Sequence, residues 1–243
     1  MKALVPLVLI AGLAACATDQ PIAPNAADAS AAVNSAGGYD YDVTITNLTT
    51  GQPLSPAILV THGPRVSLFN IGGVASAGIQ AIAESGDPSV AYGMLNGAPG
   101  VYDVVATGAP VHRIGGPGPN VLTARISGDV ERRLISVATM LICTNDGFTG
   151  ARNIPLPMDN TPVTVYAQAY DAGTERNTES DGDIVPPCFG IGPTTGGGGG
   201  GRVAEQLRVR MHPGIDGARA LSAPLNGWMG PVAMITIQRV GLS

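Results

Sequence analysis

Lysine is all but missing from this chain: Lys2 is the only one, and the other twelve basic residues are arginines. Aromatic side chains make up 4% of the 243 residues and charged side chains 13%. So little charge, with 44% hydrophobic residues, excludes a disordered polyelectrolyte, because disordered segments are polar and highly charged. The net charge of -5 offers no basic footprint for a nucleic-acid partner. Catalytic signatures are missing too. There is no Gly-x-Ser-x-Gly nucleophile elbow and no His-Glu-x-x-His zinc motif. The three histidines, His62, His112 and His212, stand in unrelated contexts without metal-ligand spacing, and each reads as a surface or turn residue. Enzymatic activity has no positive support in the sequence.

What is abundant is glycine and proline, 34 and 20 residues. Both weaken helix interiors, by roughly 1 and 3 kcal/mol respectively, so a helical bundle is excluded and a strand-and-turn protein remains. Tyr41-Asp42-Val43-Thr44-Ile45-Thr46 alternates in the period of a half-buried strand and is rich in β-branched residues. Further strands are expected over 56–61, 100–107, 121–127, 133–142, 162–170, 206–211 and 232–240, with Gly, Pro, Asn and Asp between them. One helix is expected from Ala77 to Glu84, capped by Ser76 and ended by Gly86. The expectation is therefore an all-β fold, an antiparallel β-sandwich of about eight strands with one short helix and long loops. The six glycines Gly196–Gly201 lack the Lys-Ser/Thr and the following helix of a phosphate loop, so they read as a flexible surface loop.

The N-terminus has a positive residue, a short apolar run and then Leu13-Ala14-Ala15-Cys16. The run is too short to span a bilayer and describes a secretory signal over 1–15. Its last four residues match the bacterial lipobox, in which the cysteine is acylated; an ordinary signal with a chance Cys16 is the alternative. Ala17 in place of Asp lacks the inner-membrane retention signal, so the expected location is the outer membrane of a bacterial cell envelope. Residues 16–38 read as a flexible tether and 39–243 as the folded domain. The remaining cysteines, Cys143 and Cys188, suit a disulfide in an oxidising compartment; two separate buried thiols are the alternative.

Acidic residues are scarce, 18 in all, and several stand at strand ends. Asp129 and Glu131 precede the strand expected at 133–142, Asp146 follows it, and Asp171 follows the strand expected at 162–170. Loop carboxylates with backbone carbonyls are Ca²⁺ donors, although acidic loop residues are more often simply solvated.

These same residues carry a family resemblance. Asn145-Asp146-Gly147-Phe148-Thr149-Gly150 resembles the Pro-Asp-Trp-Phe-Val-Gly signature of spondin N-terminal domains. Tyr170-Asp171-Ala172-Gly173-Thr174-Glu175 resembles that family's Tyr-Asp-Ala-Gly-Thr-Asp, and Asp129-Val130-Glu131-Arg132-Arg133 its acidic-Val-x-Arg-Arg stretch. Leu54-Ser55-Pro56, His62, Ala75-Ser76-Ala77-Gly78 and Ala83-Glu84-Ser85-Gly86 follow in the family's order, so the likeness runs from about Tyr41 to Val240. It implies a C2-like sandwich holding one Ca²⁺ through three acidic side chains, which fall on Asp129, Asp146 and Asp171. Whether Glu131 or Glu175 also touches the ion stays open. The family's Trp is Gly147 here, its last acid is Glu175, and the thrombospondin-type repeats of animal relatives are absent. The expected function is a Ca²⁺-stabilised binding or adhesion module, tethered to the membrane by lipid, with an unknown surface protein or glycan as ligand. The alternatives are a purely structural envelope protein, and a hydrolase using Ca²⁺ as Lewis acid with His62 as base.

Overall fold

The structure is a computed structural model that describes residues 38–195, 197, 198 and 200–242. The signal, the tether up to residue 37 and the lipidation site Cys16 lie outside the described residues.

Strand β1 (Tyr39–Asn47) realises the alternation seen in its sequence: Tyr41, Val43 and Ile45 are buried, and Asp42, Thr44 and Thr46 are partly exposed. It lies between β4 (Val121–Gly128) and β10 (Ala233–Leu242), and β10 pairs on its other side with β7 (Val163–Ala167). All three pairings are antiparallel; Val43 faces Ala124 and Ile237, and Ile235 faces Val165.

The second sheet has the order β3-β2-β5-β6-β8-β9 and is also antiparallel, built from β2 (Ile58–His62), β3 (Val101–Ala106), β5 (Leu134–Met140), β6 (Gly147–Pro155), β8 (Ala169–Asp171) and β9 (Arg210–Met211). Every residue of β2 is buried, because this sheet is covered on both faces. Leu59, Ile135 and Val137 face the first sheet, where they join Tyr41, Val43 and Ile235 in one core. Ile58, Val60 and Ala138 point the other way, into a second core with Ile79, Ile82 and Phe148. The period of two thus assigns adjacent apolar residues to different cores.

The second core is closed by helices α1 (Ala77–Ser85) and α2 (Ser89–Leu95). The Ser76 hydroxyl caps α1 by accepting the Ile79 N–H at 3.2 Å, and Gly86 ends it in the left-handed conformation (φ 66°). Phe69, Phe148 and Tyr170 gather in this core with ring centroids 5.1–5.5 Å apart, so three of the few aromatics share one place.

The antiparallel sandwich expected from the pattern is therefore present, with ten strands among the described residues rather than about eight. The described residues also hold three short α-helices rather than one, the third being α3 (Ala223–Asn226). One difference has a clear physical cause. Strand β6 falls where the sequence reads as loop, because Gly147, Gly150, Arg152, Asn153 and Pro155 break any alternation. Gly150 is needed for the pairing itself: a Cβ there would lie 2.1 Å from the Val137 carbonyl oxygen. The strand expected at 162–170 divides at Gln168, with β7 in the first sheet and β8 in the second. Only Arg210 and Met211 of the strand expected at 206–211 pair, as β9.

Residues 172–231 hold little regular structure: α3, the two-residue β9 and single 3₁₀ turns at Asp181–Asp183 and Pro186–Cys188. A disulfide joins Cys143, just beyond β5, to Cys188 in this segment. It sits in a third apolar cluster with Met140, Ile184 and Leu221. Gln52, fully buried, binds the same region through its side chain, accepting from Cys143 N–H (2.9 Å) and donating to the Asn226 carbonyl (2.6 Å). A cross-link over 45 residues stabilises by about 4 kcal/mol in the chain-entropy model. Replacing both cysteines by alanine should lower the urea-unfolding free energy by roughly that amount. A loss below about 1 kcal/mol would mean that the segment is held without the bond.

Candidate metal centre

The hairpin between β5 and β6 is a tight turn, with Leu141 N–H bonded to the Gly147 carbonyl at 2.9 Å. The Thr144 hydroxyl donates to the Leu141 carbonyl and accepts the Gly147 N–H, fixing the turn from inside. Asp146 is thereby held inward, with no exposed surface. Strand β8 pairs beside it, Asp171 opposite Gly147, and Ala172 N–H donates to the Asp146 carbonyl at 3.1 Å.

The turn after β8 then folds over the Asp146 carboxylate. Gly173 sits in the left-handed region (φ 72°), and its N–H donates to Asp171 Oδ1 at 2.7 Å. The next two N–H groups, of Thr174 and Glu175, donate to Asp146 Oδ2 at 2.7 and 3.0 Å, and the Thr174 hydroxyl approaches it at 3.3 Å. Asp146 Oδ1 is buried and has no hydrogen-bond partner among the described residues. Asp171 Oδ2 accepts from Asn177 at 2.7 Å and from Arg210 at 2.9 Å.

Electrostatics at this end are one-sided. Burial pushes the Asp146 carboxyl up to about 6; the Glu175 and Thr174 N–H groups oppose the push and the Asp171 charge adds to it. Glu175 is driven further, to about 8, again by burial first, with Arg202 opposing and Glu84, Asp146 and Asp183 adding. Arg202 Nε lies 3.1 Å from Glu175 Oε1, but the two are misaligned and neither completes a hydrogen bond. A buried carboxylate oxygen without a donor costs free energy unless a cation or a proton supplies the missing charge.

The three acids singled out in the sequence do not converge. Asp146 and Asp171 come together, but Asp129 lies beyond the opposite end of β5. The seven-residue strand that separates them spans roughly 20 Å. At that far end Asp129 Oδ1 accepts the N–H groups of Glu131 and Arg132, and Oδ2 pairs with the Arg132 guanidinium at 2.8 Å. It closes its own turn, and Glu131 stays exposed beside it. Among the described residues no group of three His, Cys, Asp or Glu side chains is arranged to hold a metal ion. The fit to a hard cation is therefore narrower than expected: two adjacent carboxylates, one with an oxygen still open, and the remainder left to carbonyls and water.

Glu175, Asn145 and Arg210 belong to this end as well. Asn145 fastens the turn to the long segment, accepting the Glu179 N–H at 3.1 Å and donating to the Thr178 hydroxyl at 3.2 Å. No sequence signal marks Arg210, which comes from a distant two-residue strand.

Two of the three histidines are not where the sequence reading put them. His62 and His212 are core residues, and only His112 is half-exposed. His62 stands opposite Leu134 in the β2–β5 pairing, at the Asp129 end of the sheet. That position is away from Asp146, so it cannot serve as the base for a cation there. Its Nδ1–H donates to the Gly63 carbonyl at 2.9 Å, which leaves Nε2 to accept from the Ser136 hydroxyl at 2.8 Å. Ser136 Oγ in turn accepts the Asn153 N–H at 3.0 Å. His212 is buried against Trp228, with ring centroids 5.1 Å apart, and burial lowers it to about 4.

No protein-family model matches this chain, and no curated protein matches it.

His62 also sets a pH dependence. Burial holds its pKa below 6.5, so the folded chain resists a proton that the unfolded chain accepts. Its contribution to stability is present above about pH 6.5 and is lost as pH falls below that value. Replacing it as His62→Gln should flatten the fall in melting temperature between pH 7 and pH 5 relative to the unaltered protein. Parallel curves for the two proteins would show that neutrality at His62 contributes nothing.

Proposed function

We propose that this chain is a lipid-anchored β-sandwich binding module of the bacterial cell envelope, with one end clamped by a divalent cation, Ca²⁺. The observation that carries the cation is Asp146 Oδ1, fully buried and without a donor among the described residues, beside a second carboxylate at Asp171. Asp146 and Asp171 would hold the ion, with carbonyl and water oxygens filling the rest of a shell of about six to eight. The bound ion supplies positive charge to a site where carboxylates outnumber the arginines that face them. It thereby stiffens the turn 171–175 against the β5–β6 hairpin. The spondin-like motif residues Asp146, Asp171, Gly173 and Thr174 are the ones that build this clamp, which supports the family reading. Asp129 takes no part in the proposed site.

The lipobox around Cys16 supports outer-membrane anchoring, and acylation by more than one chain makes such an anchor firm, since each buried CH₂ contributes about 0.8 kcal/mol. The ligand expected for the module is a surface protein or a glycan.

Calorimetry of the unaltered chain in chelator and in excess Ca²⁺ tests the clamp. A ligand at 100 times its Kd stabilises by about 2.7 kcal/mol, which for a domain of this size raises Tm by roughly 5–10 °C. Asp146→Asn should abolish the shift while keeping the acceptor for the Thr174 and Glu175 N–H groups. Asp129→Asn should leave the shift intact. An unmoved Tm in the unaltered chain, or a shift lost in Asp129→Asn and kept in Asp146→Asn, refutes this assignment.

A further inference from the structure

A second site lies between the start of β2, the end of α1 and the disulfide-linked segment. It is a cleft of about 620 Å³, within the range of small-molecule sites. Its walls are unusual in carrying six prolines, Pro53, Pro56, Pro110, Pro117, Pro186 and Pro187. Proline has no N–H and a fixed φ, so such a wall is apolar and already ordered before anything binds. Ile142 adds to the floor, and Phe189 stands at the edge with 68% of its surface exposed. A phenyl ring so exposed beside an apolar cleft is unusual for a residue that packs nothing.

Two polar groups in the lining are short of partners. Arg113 donates through one nitrogen to the Thr50 and Ile114 carbonyls, at 3.1 and 3.5 Å, and forms no ion pair among the described residues. Its remaining N–H groups are uncommitted. The adjacent His112 ring is half-buried, and among the described residues its nitrogens make no hydrogen bond. The ring is held in place by Gly118, where a Cβ would lie 2.3 Å from it. A second guanidinium, Arg202, lines the cleft from the other side, donating to Ser85 at 3.3 Å and pairing with Glu84 at 3.5 Å. Among the described residues no carboxylate lines the cleft, and its charged groups are the two arginines.

The wall is also anchored. Phe189 follows Cys188 directly, and the disulfide ties that turn to Cys143. Asn226 donates to the Ile191 carbonyl at 2.9 Å just beyond. An apolar, pre-ordered slot with a guanidinium and an imidazole at its edge matches a molecule with an apolar body and one acidic group.

We propose that this cleft binds a small amphipathic carboxylate, its apolar body between the proline wall and Phe189 and its carboxylate on Arg113. Aryl and acyl acids share this chemistry. A flat ring suits the pyrrolidine faces, and an acyl chain suits an apolar slot of this volume. Neither of the proposed cation ligands, Asp146 and Asp171, lines this cleft.

Titration calorimetry of the full chain carrying Cys16→Ala, so that no acyl group of its own competes, tests this with 2-naphthoate, its neutral analogue 2-naphthamide, and dodecanoate. Saturable binding of 2-naphthoate or dodecanoate with Kd below 1 mM is expected, on the order of tenfold tighter than the amide. The tighter of the two acids identifies the body as aryl or acyl. Arg113→Gln should remove the preference for acid over amide. Phe189→Ala, at an exposed position that folding does not need, should weaken the acid about tenfold. The proposal is overturned if neither acid saturates, if the amide binds the unaltered chain as tightly as the acid, or if both variants bind like it. The acid-to-amide comparison requires no variant, so a failure of Arg113→Gln to fold leaves the test decisive.

Discussion

A turn of four residues, Cys143 to Asp146, bears the weight of the least regular quarter of this protein. Each of its members reaches across or braces the turn. Cys143 is bonded to Cys188, Thr144 locks the hairpin through its hydroxyl, Asn145 grips Thr178 and Glu179, and Asp146 receives the N–H groups of Thr174 and Glu175. Residues 172–231 have almost no ladder of their own, and many of their backbone groups pair within the segment, as from Arg176 N–H to the Val203 carbonyl and from Leu207 N–H to the Gly173 carbonyl. The turn ties that segment to β5, which is buried along nearly its whole length. The position of the central strand is thus passed to the segment that covers it.

That arrangement has an electrostatic consequence. To accept backbone donors from the covering turn, Asp146 has to be buried, and burial of a carboxylate is costly in proportion to its isolation from water. Two N–H donors satisfy one oxygen and leave the other. Asp171, Glu175 and Asp183 lie in the same region, against Arg202 and Arg210. Arg210 is spent on Asp171, and Arg202 is divided between Glu84 and Glu175. Positive charge is therefore short where backbone geometry demands acids. A cation or a proton is the simplest remedy, and Asp146, whose carboxyl burial raises to about 6, is the group that would take either.

Much of this fold is legible in the sequence, and the parts that are not share a cause. β1 and α1 are local: alternation in one, a Ser cap and a Gly stop in the other, and both patterns survive tertiary packing. β6 is not local. Its glycines, read as loop, permit close approach to β5, which only the pairing itself reveals. The division of β7 from β8 at Gln168 is likewise invisible, because an unbroken β-rich run gives no sign that its halves serve different sheets. For the acids, the family resemblance grouped Asp129 with Asp146 although one precedes β5 and the other follows it. An acid before a strand and an acid after the same strand stand at opposite ends of it, so the sequence already contained the argument for separating them. The Arg210 contact and the open oxygen of Asp146 depend on long-range packing and leave no such trace.

The proline excess shows the same division between what composition states and what folding decides. Prolines punctuate turns, and a count assigns them no further role. In the folded chain six of them come from four separated stretches and face one cleft, where their missing N–H groups become an advantage. A wall without donors needs no water and loses no order when a ligand arrives. The turn at Cys143 reaches this cleft too, since the disulfide fixes the Pro186–Cys188 turn from which Phe189 projects. One short hairpin therefore positions both an acid-rich end and an apolar, cation-fringed slot. Their chemistries are opposite, and the same buried strand lets each keep groups that a mobile loop would surrender to water.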